Sequence, residues 1–177
     1  MTKGRFGWFF LATIICLVTG CTITPATPMD TQNFSFSAPA GWSIHEGPSA
    51  TGKTAGNYMA LDLKILYVLS GQEYVPFVTI TSRDLPPGSS LEQEFNATYA
   101  AISTKTRGDQ TTQMTVDGLT AQVRRYDRPW GEPWYSFQDT WVEKGGQIYM
   151  IACQTRLNST SNDLAGCKTI LASLHFK

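Results

Sequence analysis

The sequence predicts an α+β domain organised on a mostly antiparallel sheet. Segments with period-two alternation recur in pairs across short turns, which is hairpin order, and two further segments repeat their apolar residues at helical spacing. Hairpins accompanied by two helices pack as a sheet with helices laid against it.

The elements follow in chain order. Phe34 and Phe36 alternate with serines ahead of Pro39 and Trp42, a first strand delivering aromatic rings to one face. From Met59 onward, Leu61, Leu63, Ile65, Tyr67 and Leu69 alternate with positions that include Asp62 and Lys64, the pattern of a half-buried strand. Gly71 and Gln72 turn the chain, and 75–82 returns antiparallel with Val78 and Ile80 in phase, its start made irregular by Pro76. A helix follows, because Ser89 and Ser90 precede Leu91 with Glu92 and Gln93 at capping-box spacing, and Leu91, Phe95, Tyr99 and Ile102 share a face. The polar stretch 105–112 reads as a connection. Beyond it, strands over 113–116 and 119–126 flank an Asp117-Gly118 turn, and strands over 135–143 and 147–155 flank Lys144-Gly145-Gly146. A last helix over 162–174, capped by Ser161 or Asn162, closes the chain.

The N-terminus is of another kind. Lys3 and Arg5 precede an apolar run from Phe6 to Val18, and the run ends in Leu17-Val18-Thr19-Gly20-Cys21. A basic start, a short apolar core and small residues make a secretory signal, too short to persist as a membrane span. The five residues ending at Cys21 resemble the lipobox of bacterial lipoproteins, whose cysteine is acylated and begins the mature chain. Each buried acyl methylene is worth about 0.8 kcal/mol, so two or three chains hold a soluble domain on a bilayer. A plain secretory peptide with a coincidental cysteine is the alternative. The resemblance implies a signal peptide over 1–20, lipidation at Cys21, a flexible tether over 21–32 with Pro25 and Pro28 among threonines, and one domain over 33–177. In Gram-negative lipoproteins an aspartate after the cysteine favours the inner membrane. Thr22 stands there, so the periplasmic side of the outer membrane is expected in such a host.

Charge and cysteine usage fit an exported domain. The chain carries 14 basic and 14 acidic residues, and loss of Lys3 and Arg5 with the signal leaves 12 against 14, a net charge of −2. A nearly neutral domain has no electrostatic case for nucleic acid. With Cys16 removed and Cys21 acylated, Cys153 and Cys167 remain. In an oxidising compartment they read as a disulfide stapling the last helix to the run 147–155, a loop of about 15 residues worth about 3 kcal/mol in the chain-entropy model. Two buried thiols or a redox pair are the alternatives, although the spacing is far from Cys-x-x-Cys.

One motif is out of context. Gly47-Pro48-Ser49-Ala50-Thr51-Gly52-Lys53-Thr54 satisfies the phosphate-loop pattern, whose amides cradle phosphates between a buried parallel strand and a helix. Here Trp42 to Glu46 precedes it, an alternating strand follows from Met59, and the envelope lacks an ATP supply, so no nucleotide is expected at 47–54. His45 and His175 are the two histidines, without His-x-His or His-Glu-x-x-His spacing, and no Gly-x-Ser-x-Gly elbow occurs. No catalytic residue, metal ligand or cofactor is expected.

Four phrases of the chain are Phe34-Ser-Phe-Ser-Ala-Pro-Ala-Gly-Trp42, Ser89-Ser-Leu-Glu-Gln-Glu-Phe95, Val116-Asp-Gly-Leu-Thr-Ala121 and Ile170-Leu-Ala-Ser-Leu-His-Phe176. Together they resemble the PsbP-like family, the fold shared by the PsbP extrinsic subunit of photosystem II, a Ran-binding nuclear import factor and many bacterial lipoproteins. The resemblance covers nearly the whole mature chain and implies an α/β/α sandwich with a twisted antiparallel sheet and two main helices. The fold hosts unlike partners, so it does not carry a function with it. The histidines discussed as ligands in plant PsbP have no counterpart here.

The remaining functional signal is aromatic. Tyr126-Asp-Arg-Pro-Trp-Gly-Glu-Pro-Trp-Tyr135 sets Trp130, Trp134 and Tyr135 beside Arg128 in a proline-stiffened loop near Arg124 and Arg125. Trp, Tyr and Arg anchor interfaces, so Arg128, Trp130, Trp134 and Tyr135 are a candidate partner-binding loop; the alternative folds the tryptophans back over the core edge. The expected function is a non-enzymatic, lipid-anchored accessory for an envelope protein partner. A small-molecule or glycan-binding lipoprotein stands second, with a pocket beneath the Trp loop, and an envelope hydrolase third.

Overall fold

The computed structural model describes residues 26–47, 63–71, 77–101, 106–129, 134–157 and 161–177. In chain order the elements are β1 Thr27–Asp30, β2 Phe34–Ala38, β3 Ser43–Glu46, β4 Lys64–Ser70, β5 Phe77–Asp84, α1 Leu91–Ala101, β6 Arg107–Val116, β7 Leu119–Pro129, β8 Trp134–Lys144, β9 Gln147–Arg156, α2 Ser161–Ser173 and β10 His175–Phe176. Seven strands form the main sheet in the order β3-β4-β5-β9-β8-β7-β6, and a small sheet has the order β1-β2-β10. Every neighbouring pair is antiparallel.

Strand β9 explains the layering. Residues 148–155 are all buried, which requires cover on both faces of the sheet. Ile148, Met150 and Ala152 join Phe95 and Trp141 under α1, whereas Tyr149, Ile151 and Cys153 join Ile170, Leu171 and Leu174 of α2. The small sheet lies beside α2: Phe34 of β2 meets Tyr67 at 6.0 Å and Tyr149 at 5.8 Å, both edge-on. The sandwich is therefore α1, main sheet, then α2 with the small sheet.

Local chemistry sets the element ends. Gln93 N–H donates to Ser90 Oγ at 3.3 Å while Ser90 N–H donates to Gln93 Oε1 at 2.9 Å, a closed capping box that starts α1. The Asp117-Gly118 hairpin holds both residues at positive φ, 49° and 75°. Cys153 and Cys167 form the expected disulfide, β9 to α2, across a Cα separation of 6.0 Å. Trp42, from the turn after β2, lies on Gly166 of α2, where even a methyl group would overlap its ring.

The structure departs from the sequence expectations in several places. Residues 27–30, expected in the flexible tether, are β1, paired with 35–38 of β2. Of the polar stretch expected as a connection, residues 107–112 are strand, the first part of β6; as the sheet's edge, β6 is exposed along most of its length and carries no apolar period. His45 lies in β3, a strand absent from the elements read above. The even alternation expected through 59–69 is broken by a register shift between Ile65 and Tyr67, and the run's first residues, 59–62, lie outside the described residues.

Candidate functional site

The aromatic segment expected as a loop is largely strand. Strand β7 runs to Pro129 and β8 begins at Trp134; Pro129 pairs with Trp134 and Arg128 with Tyr135. Alternation then divides the candidate residues: Arg128 and Tyr135 share the α1 face, and Trp134 takes the α2 face. The Arg128 guanidinium sits over Phe137 at 4.8 Å, and Arg107 sits over Trp134 at 4.1 Å. Arg128 and Tyr135 therefore lie on the opposite face of the sheet from Trp134. Trp130 lies outside the described residues, as do Cys21 and 48–54; β3, which leads toward 48–54, is an antiparallel edge strand.

On the α2 face, the same strand ends open into a cleft of about 440 Å3. Arg125 and Asp127 of β7, Ser136 and Gln138 of β8, and Thr155 of β9 line one side; Lys168 lines the other from α2, and the disulfide spans between them. Arg125 Nε donates to Gln138 Oε1 at 2.8 Å, so a neutral amide positions the guanidinium without cancelling its charge. Asp127 accepts from Ser136 Oγ at 2.7 Å and pairs with Arg107 at 3.5 Å.

A buried polar cluster occupies the α1 face. Asp139 is 1 % exposed. Its Oδ2 accepts from Tyr99 at 2.7 Å and from Tyr126 at 3.0 Å, and Trp141 Nε1–H donates to the Tyr99 hydroxyl at 3.0 Å. Asp139 Oδ1 has no hydrogen-bond partner among the described residues. Arg124, whose Nε donates to Asp109 at 2.9 Å, lies over the Tyr99 and Tyr126 rings at 4.3 and 4.9 Å. Burial pushes the Asp139 carboxyl above the usual carboxylate range, with the two phenol bonds and the arginines Arg124 and Arg128 pulling the other way. Burial and the neighbouring Asp139 together push the Tyr99 hydroxyl well above its ordinary range. The cluster ties α1 to β7 and β8. Sequence reasoning missed Asp139, although an acid set in phase between the aromatic residues Tyr135, Phe137 and Trp141 is a readable signal.

Among the described residues no three His, Cys, Asp or Glu side chains stand together so as to hold a metal ion, and no helix is long and apolar enough to cross a membrane. No family model matches the chain, and no curated protein matches its sequence. Solved structures do match. Cyanobacterial PsbP (CyanoP) from Synechocystis sp. PCC 6803 is similar with a TM-score of 0.59 at 13 % identity, over 89 % of this chain and 96 % of that one. LpqN of Mycobacterium tuberculosis, involved in cell envelope biogenesis, is similar with a TM-score of 0.58 at 10 % identity, over 86 % of each chain. The fold is PsbP-like. A protein of Bacteroides thetaiotaomicron matches with a TM-score of 0.52 at 9 % identity, over 81 % of this chain and 45 % of that one, so the present chain spans under half of that protein.

Within this PsbP-like domain the phrases that carry the sequence resemblance are packing devices. Phe34 and Phe36 fill the core between the sheets, Trp42 covers Gly166, and Ser90 caps α1. Asp117 accepts from the Phe176 N–H at 2.8 Å and meets His175 Nδ1 at 2.8 Å, fixing the last strand to the β6–β7 turn.

Proposed function

We propose that this chain is a lipid-anchored accessory protein of the cell envelope that acts by binding a protein partner rather than by catalysis, with Cys21 as the acylated residue. The observation that supports it is a PsbP-like fold extending over most of this chain and of LpqN, a protein involved in cell envelope biogenesis, in a chain that also carries a lipobox. The outer membrane is the favoured site in a Gram-negative host, given Thr22. Palmitate labelling and crosslinking in intact cells test the reading. Wild-type protein should take up label, Cys21→Ala should not, and crosslinking should trap the wild type in a product of discrete mass. Unlabelled wild-type protein would remove the anchor, and crosslinking that yields monomer alone would remove the partner.

A second reading, a lipoprotein that binds a small molecule, is favoured by the cleft. Concave sites with a few converging polar groups take small molecules, whereas protein partners dock on flatter surfaces.

A further inference from the structure

We propose that the cleft between α2 and the β7–β8–β9 end of the main sheet binds a small phosphate-bearing, hydroxylated molecule, with Arg125 and Lys168 as the groups that recognise the phosphate. The proposal rests on the ligand-binding reading of this domain and names the ligand class.

Size comes first. About 440 Å3 lies in the lower part of the range for small-molecule sites, roughly 300–1,000 Å3, and admits a ligand of a few carbons with one phosphate, not a polymer. Charge comes second. The whole chain carries equal numbers of acidic and basic residues, yet two cations converge here from separate elements, Arg125 on β7 and Lys168 on α2, and neither has a carboxylate partner among the described residues. The carboxylate in the lining, Asp127, is engaged by Ser136 and Arg107. Two like charges around one concavity repel, and an anion between them removes that repulsion.

Pre-organisation comes third. The bond from Arg125 Nε to Gln138 fixes the fork through one edge, and Gln138 is itself held, its amide donating to Thr140 Oγ1 at 3.3 Å. A planar fork suits phosphate oxygens, and the lysine adds a point charge. The Cys153–Cys167 bond sets the distance between the helix wall and the sheet wall, so little ordering remains to be done on binding. Ser136, whose hydroxyl proton goes to Asp127, keeps lone pairs that can accept from a ligand hydroxyl, and Thr155, also in the lining, adds a second hydroxyl.

The phosphate can reach the cleft on a soluble molecule or as the headgroup of an anionic lipid. Isothermal titration of the full-length protein in neutral detergent separates them, with sn-glycerol 3-phosphate as the probe, glycerol and glucose as neutral controls, and a parallel titration in detergent doped with phosphatidylglycerol. We expect saturable binding of glycerol 3-phosphate and none of glycerol. Arg125→Gln and Lys168→Gln should each weaken it about fivefold or more, and the double variant more than either, with melting temperatures unchanged because both side chains are exposed. Doping that competes with the probe assigns the lipid headgroup; doping without effect assigns the soluble molecule. Saturable glucose binding that ignores both cations would overturn the phosphate assignment while leaving a small-molecule cleft in place. Absence of saturable binding by glycerol 3-phosphate and glucose alike would overturn both, and so would full affinity in the double variant, which would place the probe elsewhere.

Discussion

At the scale of single residues, Asp139 carries the clearest consequence for stability. Its two phenol donors and two nearby arginines favour the carboxylate, but withdrawal from water outweighs them, so the group titrates above the ordinary 3.8. Between 3.8 and the raised value the native state holds a proton that the unfolded chain has released. The stability Asp139 contributes is therefore complete below about 3.8 and is lost as pH rises through the raised value. Asp139→Asn keeps an oxygen for Tyr99 and Tyr126 and has no carboxyl proton to lose. Urea denaturation from pH 3.5 to 8 should find this variant within about 1 kcal/mol of the native protein at pH 7, with a flatter profile over that window. Asp139→Leu leaves two phenols without their acceptor and should cost about 2–3 kcal/mol. An unflattened profile in the asparagine variant would show that another group sets the slope. The strand bearing Asp139 was legible from alternation, but its partners were not: Tyr99 lies 40 positions away and Tyr126 13. A residue's neighbours at such separations follow from sheet order, which local pattern does not encode.

At the scale of elements, α2 is held by two devices, and they were not equally visible. The Cys153–Cys167 link could be proposed once compartment and spacing were combined. Replacing both cysteines with alanine opens a loop of about 15 residues and should cost about 3 kcal/mol in urea denaturation, with amides of α2 exchanging faster than those of β8. The second device is Gly166. Glycine inside a helix ordinarily costs about 1 kcal/mol relative to alanine, so helix propensity alone predicts that Gly166→Ala stabilises. The ring of Trp42 occupies the space of the new methyl, and we expect a loss of about 1–3 kcal/mol instead. In a Trp42→Ala background the same substitution should become neutral or favourable, which a double-mutant cycle reads directly. Sequence showed Trp42 after a proline turn and a glycine on a helix, but not that one meets the other. The first six residues of edge strand β6 escaped for a related reason, with only 113–116 legible as strand: residues 107–113 are exposed in succession, so no buried face imprints a period on them. The two-residue strand β10 is too short to leave any pattern.

At the scale of the whole molecule, both ends of the domain are tied into one small sheet. Strand β2 takes β1 on one side and β10 on the other. Met29 packs on the core, and Lys177 Nζ meets Asp30 at 2.6 Å and the carbonyl of Thr31. The surface ion pair contributes little, so the strand is held mainly by its ladder to β2 and by the partial burial of Met29. Residues 27–30 thus belong to the fold, and under the acylation proposed for Cys21 the reach of its lipid would shorten accordingly. Six peptide units from Cys21 to Thr27 span at most about 20 Å, whereas a tether running to Asn33 would span about 40 Å. Two shortened variants distinguish these geometries. A chain beginning at Ala26 should match the full mature chain in urea denaturation, and one beginning at Asn33 should lose about 1–2 kcal/mol, with the β2 amides that face β1 exchanging faster. Equal stability of the two would return 27–32 to the tether and, under the proposed anchoring at Cys21, set the longer distance as the domain's reach from the membrane.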